Sequence, residues 1–158
     1  MKSIYFARHS FAENTYSKPD FERQITQEGF ERIESQSLLI NKLDFNIDLI
    51  LCSSATRTLQ TALYLKEKLK IEKNIIQLDW LYEDYPTHKF LELIQKQDNT
   101  IQSLMIVAHN PTISIMATNF NNYENYDLMP AGVIKMDFDV QDWCDIDIRQ
   151  SKNGLYLK

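Results

Sequence analysis

The alternation of apolar and polar stretches along the 158 residues divides the chain into strands and helices in turn. Ile4, Tyr5, Phe6 and Ala7 form a short apolar run with the composition of a buried strand. It ends abruptly in Arg8-His9-Ser10, a cation, an imidazole and a hydroxyl. A polar connection from Phe11 to Ile25 follows, and Thr26 then reads as the N-cap of a helix. That helix is expected to reach about Lys42, with Phe30, Ile33, Ser37, Leu38 and Ile40 near one face. Ile47–Cys52 reads as a second buried strand, followed from Ala55 to Leu69 by a helix carrying Arg57 in its first turn. Ile75–Leu81 is a third strand candidate, ended by Glu83, Asp84 and Pro86, and a short helix over Lys89–Gln95 comes next. Ser103–Ala108 is the clearest core strand; it stops at His109-Asn110-Pro111, where Pro111 suits the first turn of a helix reaching about Asn121. Gly132–Phe138 alternates as a fifth strand, and an edge-like sixth is expected near Leu155.

Strands alternating with helices predict an α/β fold: a single three-layer domain over residues 1–158, with a mostly parallel central sheet and helices on both faces. In such sheets ligands bind outside the carboxyl ends of the strands. Arg8 and His9 follow strand one, Ser53, Ser54 and Arg57 strand two, Glu83 and Asp84 strand three, and His109 strand four. Parallel strands would bring all of them to one edge, where two helix N-termini also point. Such an edge is an anion site holding a nucleophile-grade side chain.

Composition narrows the chemistry. A net charge of −5 argues against general binding to nucleic acid or an anionic membrane, so an anion site must be a local arginine cluster. No apolar run approaches the roughly 18 residues of a membrane span, and the run after Met1-Lys2 is too short for a signal peptide. Cys52 and Cys144 have no metal-site spacing, which makes a reducing cytoplasm the expected location. With only three glycines, a Gly-rich phosphate loop is ruled out, so side chains and helix N-termini must hold any phosphate. Each residue alone also has an ordinary reading: Arg57 as a solvated helix residue, His109 as a strand-end histidine bonded to backbone, Glu83 and Asp84 as turn residues. A metal held by His9 and His109 lacks a third ligand and would be repelled by the neighbouring cations. A Cys52 nucleophile would need a cradle of glycines that is missing.

Ala7-Arg8-His9-Ser10 resembles the Arg-His-Gly signature of the histidine phosphatase superfamily, and within it the chain is similar to the small phosphohistidine phosphatases of the SixA type. The resemblance continues through Asp20-Phe-Glu-Arg23-Gln-Ile-Thr26-Gln-Glu-Gly29 and Asp48-Leu-Ile-Leu-Cys-Ser-Ser-Ala-Thr-Arg57-Thr-Leu-Gln-Thr61. It recurs at Leu81-Tyr-Glu83, Val107-Ala-His109-Asn-Pro111 and Leu128-Met-Pro-Ala-Gly132. These blocks span nearly the whole chain in order and imply a phosphoglycerate mutase-like fold. They imply His9 as the nucleophile of a phosphohistidine intermediate, with Arg8 and Arg57 gripping the phosphoryl oxygens and His109 donating to the same group. Arg23 would reach the phosphate or a phosphorylated partner, and Glu83 occupies roughly the place of a general acid. Ser10 stands where the signature has glycine, lining the phosphate site with the next smallest polar residue. No metal or cofactor is called for. The resemblance implies phosphohistidine on a partner protein as substrate, and a compact chain without a lid leaves the site open, which favours a protein-borne substrate over an enclosed small one; the protein is expected to be a monomer. A phosphomonoesterase for a small metabolite and a non-catalytic phosphate-binding module are the alternatives.

Overall fold

The computed structural model describes residues 1–122 and 124–158. Six strands form one sheet: β1 (Lys2–Arg8), β2 (Leu49–Cys52), β3 (Ile76–Gln77), β4 (Ser103–Ala108), β5 (Val133–Phe138) and β6 (Asn153–Leu157). Their order is β3-β2-β4-β1-β5-β6; β3, β2, β4 and β1 run parallel, while β5 and β6 are antiparallel to their neighbours. Four helices connect them: α1 (Gln27–Lys42), α2 (Thr56–Lys68), α3 (Thr87–Gln95) and α4 (Thr112–Phe120). None of the described helices is long and apolar enough to cross a membrane.

The central strands carry continuous apolar runs, Ile4–Ala7, Leu49–Cys52 and Leu104–Ala108, because both of their faces are covered. On β1, Ile4 and Phe6 face one layer, where they join Phe90 and Ile94 of α3 and Ile113 and Phe120 of α4. Tyr5 and Ala7 face the other, joining Ile33 and Ile40 of α1 and Ala62 and Leu65 of α2. Phe6 lies between Phe90 and Phe120, with ring centroids 5.9 and 5.7 Å away. Each such fully buried ring contributes roughly 2–3 kcal/mol of hydrophobic stabilisation. β1 is therefore clamped from both sides, and the residue after it inherits a rigid backbone.

Two expectations are corrected. Leu38 is 63% exposed; the stripe of α1 that faces the sheet is Ile33, Gln36, Ser37 and Ile40. Leu38 lies five residues beyond Ile33, about 140° further round the helix, and so leaves that stripe. The third strand is only two residues long and exposed at the sheet edge, because after Leu78 N–H bonds the Cys52 carbonyl (2.8 Å) β2 has ended. Without a partner strand, Asp79–Tyr82 closes into a 3₁₀ turn.

The long 11–25 connection is tied back to α1. Thr26 Oγ1 accepts the Gly29 N–H at 3.1 Å as an N-cap, and Thr26 N–H bonds the Phe11 carbonyl at 3.0 Å. Gly29 is needed for this fit. A Cβ there would lie 2.3 Å from both the Phe11 carbonyl oxygen and Ile25 Cγ2.

Candidate active site

The sheet register alone sets His9 beside His109. Arg8 pairs with Ala108 across β1 and β4, so His9 N–H bonds the Ala108 carbonyl (3.1 Å) and the next residues of both strands are neighbours. Their ring centroids are 5.1 Å apart. Cys52 pairs with Val107 in the same way, which places Ser53 on the other side of His109. Three strand ends thus deliver three polar side chains to one edge.

His9 Nδ1 lies 2.7 Å from the Ser10 carbonyl oxygen. A carbonyl only accepts, so Nδ1 carries the proton and Nε2 presents its lone pair to the cleft. Arg57 Nε donates towards that lone pair at 3.3 Å. Burial first, and then the charges of Arg57, Arg8 and Arg23, push the His9 pKa down to about 4, although the Ser10 carbonyl bond works the other way. Burial also dominates at His109, followed by the charges of His9 and Arg57, and brings it to about 3. Both imidazoles are therefore neutral at physiological pH.

Arg57 is only 5% exposed, although it lies in the first turn of α2. Its Nη1 donates to the Asp20 carbonyl at 2.6 Å and its Nη2 to Asp20 Oδ2 at 2.8 Å. Arg23 Nη2 pairs with Asp20 Oδ1 at 2.5 Å, and Arg23 Nη1 donates to the Glu13 carbonyl at 2.9 Å. Tyr82 completes the set: its hydroxyl donates to Asp20 Oδ2 at 2.9 Å and its ring lies edge-on to His109 at 5.5 Å. Burial tends to raise the Asp20 pKa, but the bonds from Tyr82 and Arg57 and the two arginine charges outweigh it, so the carboxylate is held below its usual range. Arg8 donates from Nη1 to the Leu128 carbonyl at 2.9 Å, so the 128–132 turn orients it.

One feature points to a ligand. Four buried side-chain polar atoms have no partner among the described residues, and three of them are Arg8 Nε, Arg23 Nε and His109 Nδ1. Buried polar groups are nearly always paired in native proteins. Three come from one cluster and two of them are guanidinium donors, a donor set suited to an oxyanion. The Cys52 thiol is not a rival nucleophile: it is fully buried, and burial pushes its pKa up to about 12.

No protein-family model matches the chain, and no curated protein matches it by sequence. Among solved structures, 99% of the chain superposes on 94% of SixA, a protein histidine phosphatase complexed with tungstate, with a TM-score of 0.80 at 16% identity. A protein from Agrobacterium tumefaciens assigned as the phosphohistidine phosphatase SixA matches 86% of the chain over 91% of its own length, with a TM-score of 0.75 at 26% identity. A protein from Escherichia coli assigned as an alpha-ribazole-5′-P phosphatase matches at a TM-score of 0.71 and 11% identity, over 96% of both chains. The fold is that of the histidine phosphatases, and it is SixA-like.

Within this histidine phosphatase fold, His9, His109, Arg8 and Arg57 come together at the strand ends, and Arg23, which the resemblance alone suggested, joins them from the 11–25 connection. Ser10 and Glu83 stand differently. Ser10 is fully buried, but its hydroxyl points away from the cluster and donates to the Gly29 carbonyl at 2.8 Å. Its backbone has none of the positive φ found at Asp44, Lys70, Ala131 and Arg149, so serine is accommodated here without strain. Glu83 is exposed, and its carboxylate enters no hydrogen bond or ion pair among the described residues. Asp84 instead accepts from Thr112 Oγ1 (2.6 Å) at the start of α4. Asp20 and Tyr82 were not singled out from the sequence, although both lie inside its matching blocks. The three-residue spacing of Asp20 and Arg23 is the one local signal that could have marked Asp20.

Proposed function

We propose that the protein is a phosphatase that acts through a phosphohistidine intermediate on His9. The carrying observation is a neutral His9 whose Nε2 carries a lone pair directed at Arg57 Nε, set among cationic side chains with buried donors that lack partners among the described residues. Phosphoryl transfer asks a protein chiefly to position the reactants and to stabilise charge on the equatorial oxygens. Arg8, Arg57 and Arg23 would grip those oxygens, with His109 as a further donor; a guanidinium fork suits this because it meets two oxygens at once.

In the first step, His9 Nε2 forms a bond to phosphorus as the bond to the leaving group breaks, and the leaving group takes that electron pair. The proton stays on Nδ1, donated to the Ser10 carbonyl, so the intermediate carries both a phosphoryl group and a proton on one imidazole. That cationic ring is a good leaving group. In the second step, water attacks phosphorus, inorganic phosphate departs, and His9 regains its neutral form with the same tautomer.

The substrate we infer is phosphohistidine carried by a partner protein. The likeness to SixA proteins supports this over a small phosphate ester. The test is a rapid quench at neutral pH with phosphorus-labelled phosphohistidine protein, run beside a panel of phosphate monoesters. Label is expected on His9, acid-labile and base-stable, with His9→Ala losing both adduct and turnover. Label on another residue would overturn the mechanism. Faster turnover of a monoester would favour the metabolite reading, and oxyanion binding without any turnover would leave a binding module.

A further inference from the structure

His109 has two ring nitrogens, and the surrounding hydrogen bonds decide which of them holds the proton. Its Nε2 lies 2.9 Å from Ser53 Oγ, while its Nδ1 is buried with no partner among the described residues. Ser53 is itself fully buried and rigidly held. Its N–H bonds the Val107 carbonyl at 3.1 Å, and its carbonyl accepts from Thr58 Oγ1 at 2.9 Å. The Ser53 hydroxyl oxygen already accepts the Ala55 N–H at 3.3 Å, in the turn that starts α2.

Counting protons separates the two tautomers. If Nε2 carried the proton, Ser53 Oγ would accept from both His109 and Ala55, and its own O–H would lie buried without an acceptor. The Nδ1 lone pair would then face the anion site, where it could only repel an oxyanion. If Nδ1 carries the proton, the Ser53 O–H donates to Nε2 and accepts from Ala55, and every group in the relay is satisfied. The single donor left over is Nδ1–H, beside the phosphate-gripping arginines.

We propose that Ser53 is a positioning residue that fixes His109 as the Nδ1–H tautomer, through the relay Ala55 N–H to Ser53 Oγ–H to His109 Nε2. The inference rests on the anion-site reading above for its purpose, and on the hydrogen-bond inventory alone for its geometry. Because His109 is held neutral, it has one proton to offer, and the wrong tautomer would turn a donor into an acceptor at the same spot. Ser53 touches neither phosphate nor nucleophile in this scheme; it acts through His109.

The tautomer can be read directly from the ring-nitrogen resonances of histidine-labelled full-length protein at neutral pH. His109 is expected to show a protonated Nδ1 and an unprotonated Nε2. Ser53→Ala should release that preference and weaken tungstate binding on the order of tenfold, the worth of one charge-assisted hydrogen bond. Ser53→Thr, which keeps the hydroxyl, should restore both the tautomer and the affinity. A protonated Nε2 in the unmodified protein overturns the proposal, and that measurement stands even if Ser53→Ala does not fold. An unchanged spectrum and affinity in a folded Ser53→Ala protein overturns it as well. Failure of the unmodified protein to bind tungstate, with Nδ1 protonated, would instead count against the anion-site reading and leave the relay standing.

Discussion

Holding two histidines neutral inside a cationic cluster makes the fold acid-sensitive in a window that can be calculated. His9 titrates at about 4 and His109 at about 3 in the folded protein, against a reference value of 6.5. Between those limits the unfolded chain binds protons that the folded chain excludes, so stability rises with pH. The contribution is fully present above about pH 6.5 and is lost as the pH falls towards the folded values. At pH 5 each histidine costs about 2 kcal/mol relative to pH 8, from 1.36 kcal/mol per pH unit over about 1.5 units. The pair costs about 4 kcal/mol, a large share of the 5–15 kcal/mol typical of a domain. Mutual repulsion between the rings does not alter this sum, because neither ring is protonated in the folded state at that pH. Asp20, Asp48 and Asp137 are held below their usual range, so their stabilisation fades only below about pH 4 and does not overlap. Urea unfolding at pH 8 and pH 5 should therefore show a midpoint drop of about 2 M for a slope near 2 kcal/mol/M. His9→Asn and His109→Asn should each remove about half of that drop. A midpoint independent of pH, or a full drop retained in both variants, would refute the reasoning.

Two further expectations concern carboxylates. Asp20→Asn removes the charge that now neutralises Arg57 and Arg23; because Asp20 is half exposed the gain is modest, about fivefold tighter tungstate binding by calorimetry. Weaker binding would mean that Asp20 serves to hold the two arginines in place. Glu83→Gln should leave kcat within about twofold, since its carboxylate faces solvent. A loss of about 100-fold in a steady-state assay would mark it as the general acid after all.

Much of the site was legible in the chain because β1, β2 and β4 are short apolar runs that stop abruptly at polar residues. In a parallel sheet, equal strand polarity is enough to put the residues that follow on one edge, so His9, Arg57 and His109 could be gathered without coordinates. Thr26 as a cap was legible because capping is local, a bond to the Gly29 N–H three residues on; the need for glycine at 29 was not, because it comes from the Phe11 carbonyl eighteen residues away. The extent of β3 was not, because a strand reaches only as far as its partner, and the register that sets Gln77 opposite Cys52, the last residue of β2, is fixed by pairing between distant segments. Leu38 was misplaced because a helix face is defined by what packs on it, and the apolar stripe of α1 is interrupted by Gln36 and Ser37.

The sequence by itself determined the alternation of strands and helices, the two histidines at strand ends and the supply of arginines, because these depend on local composition and spacing. Only the tertiary structure decided which protons and charges face one another. Asp20 reaches Arg57 across 37 positions and Tyr82 reaches Asp20 across 62, contacts that chain folding creates and no local pattern records. The neutrality of both imidazoles, the tautomer of His9 and the partner of His109 likewise arise from burial and from neighbours on other strands. Electrostatics and proton placement depend on distance in space, and for these residues that distance is set by the sheet.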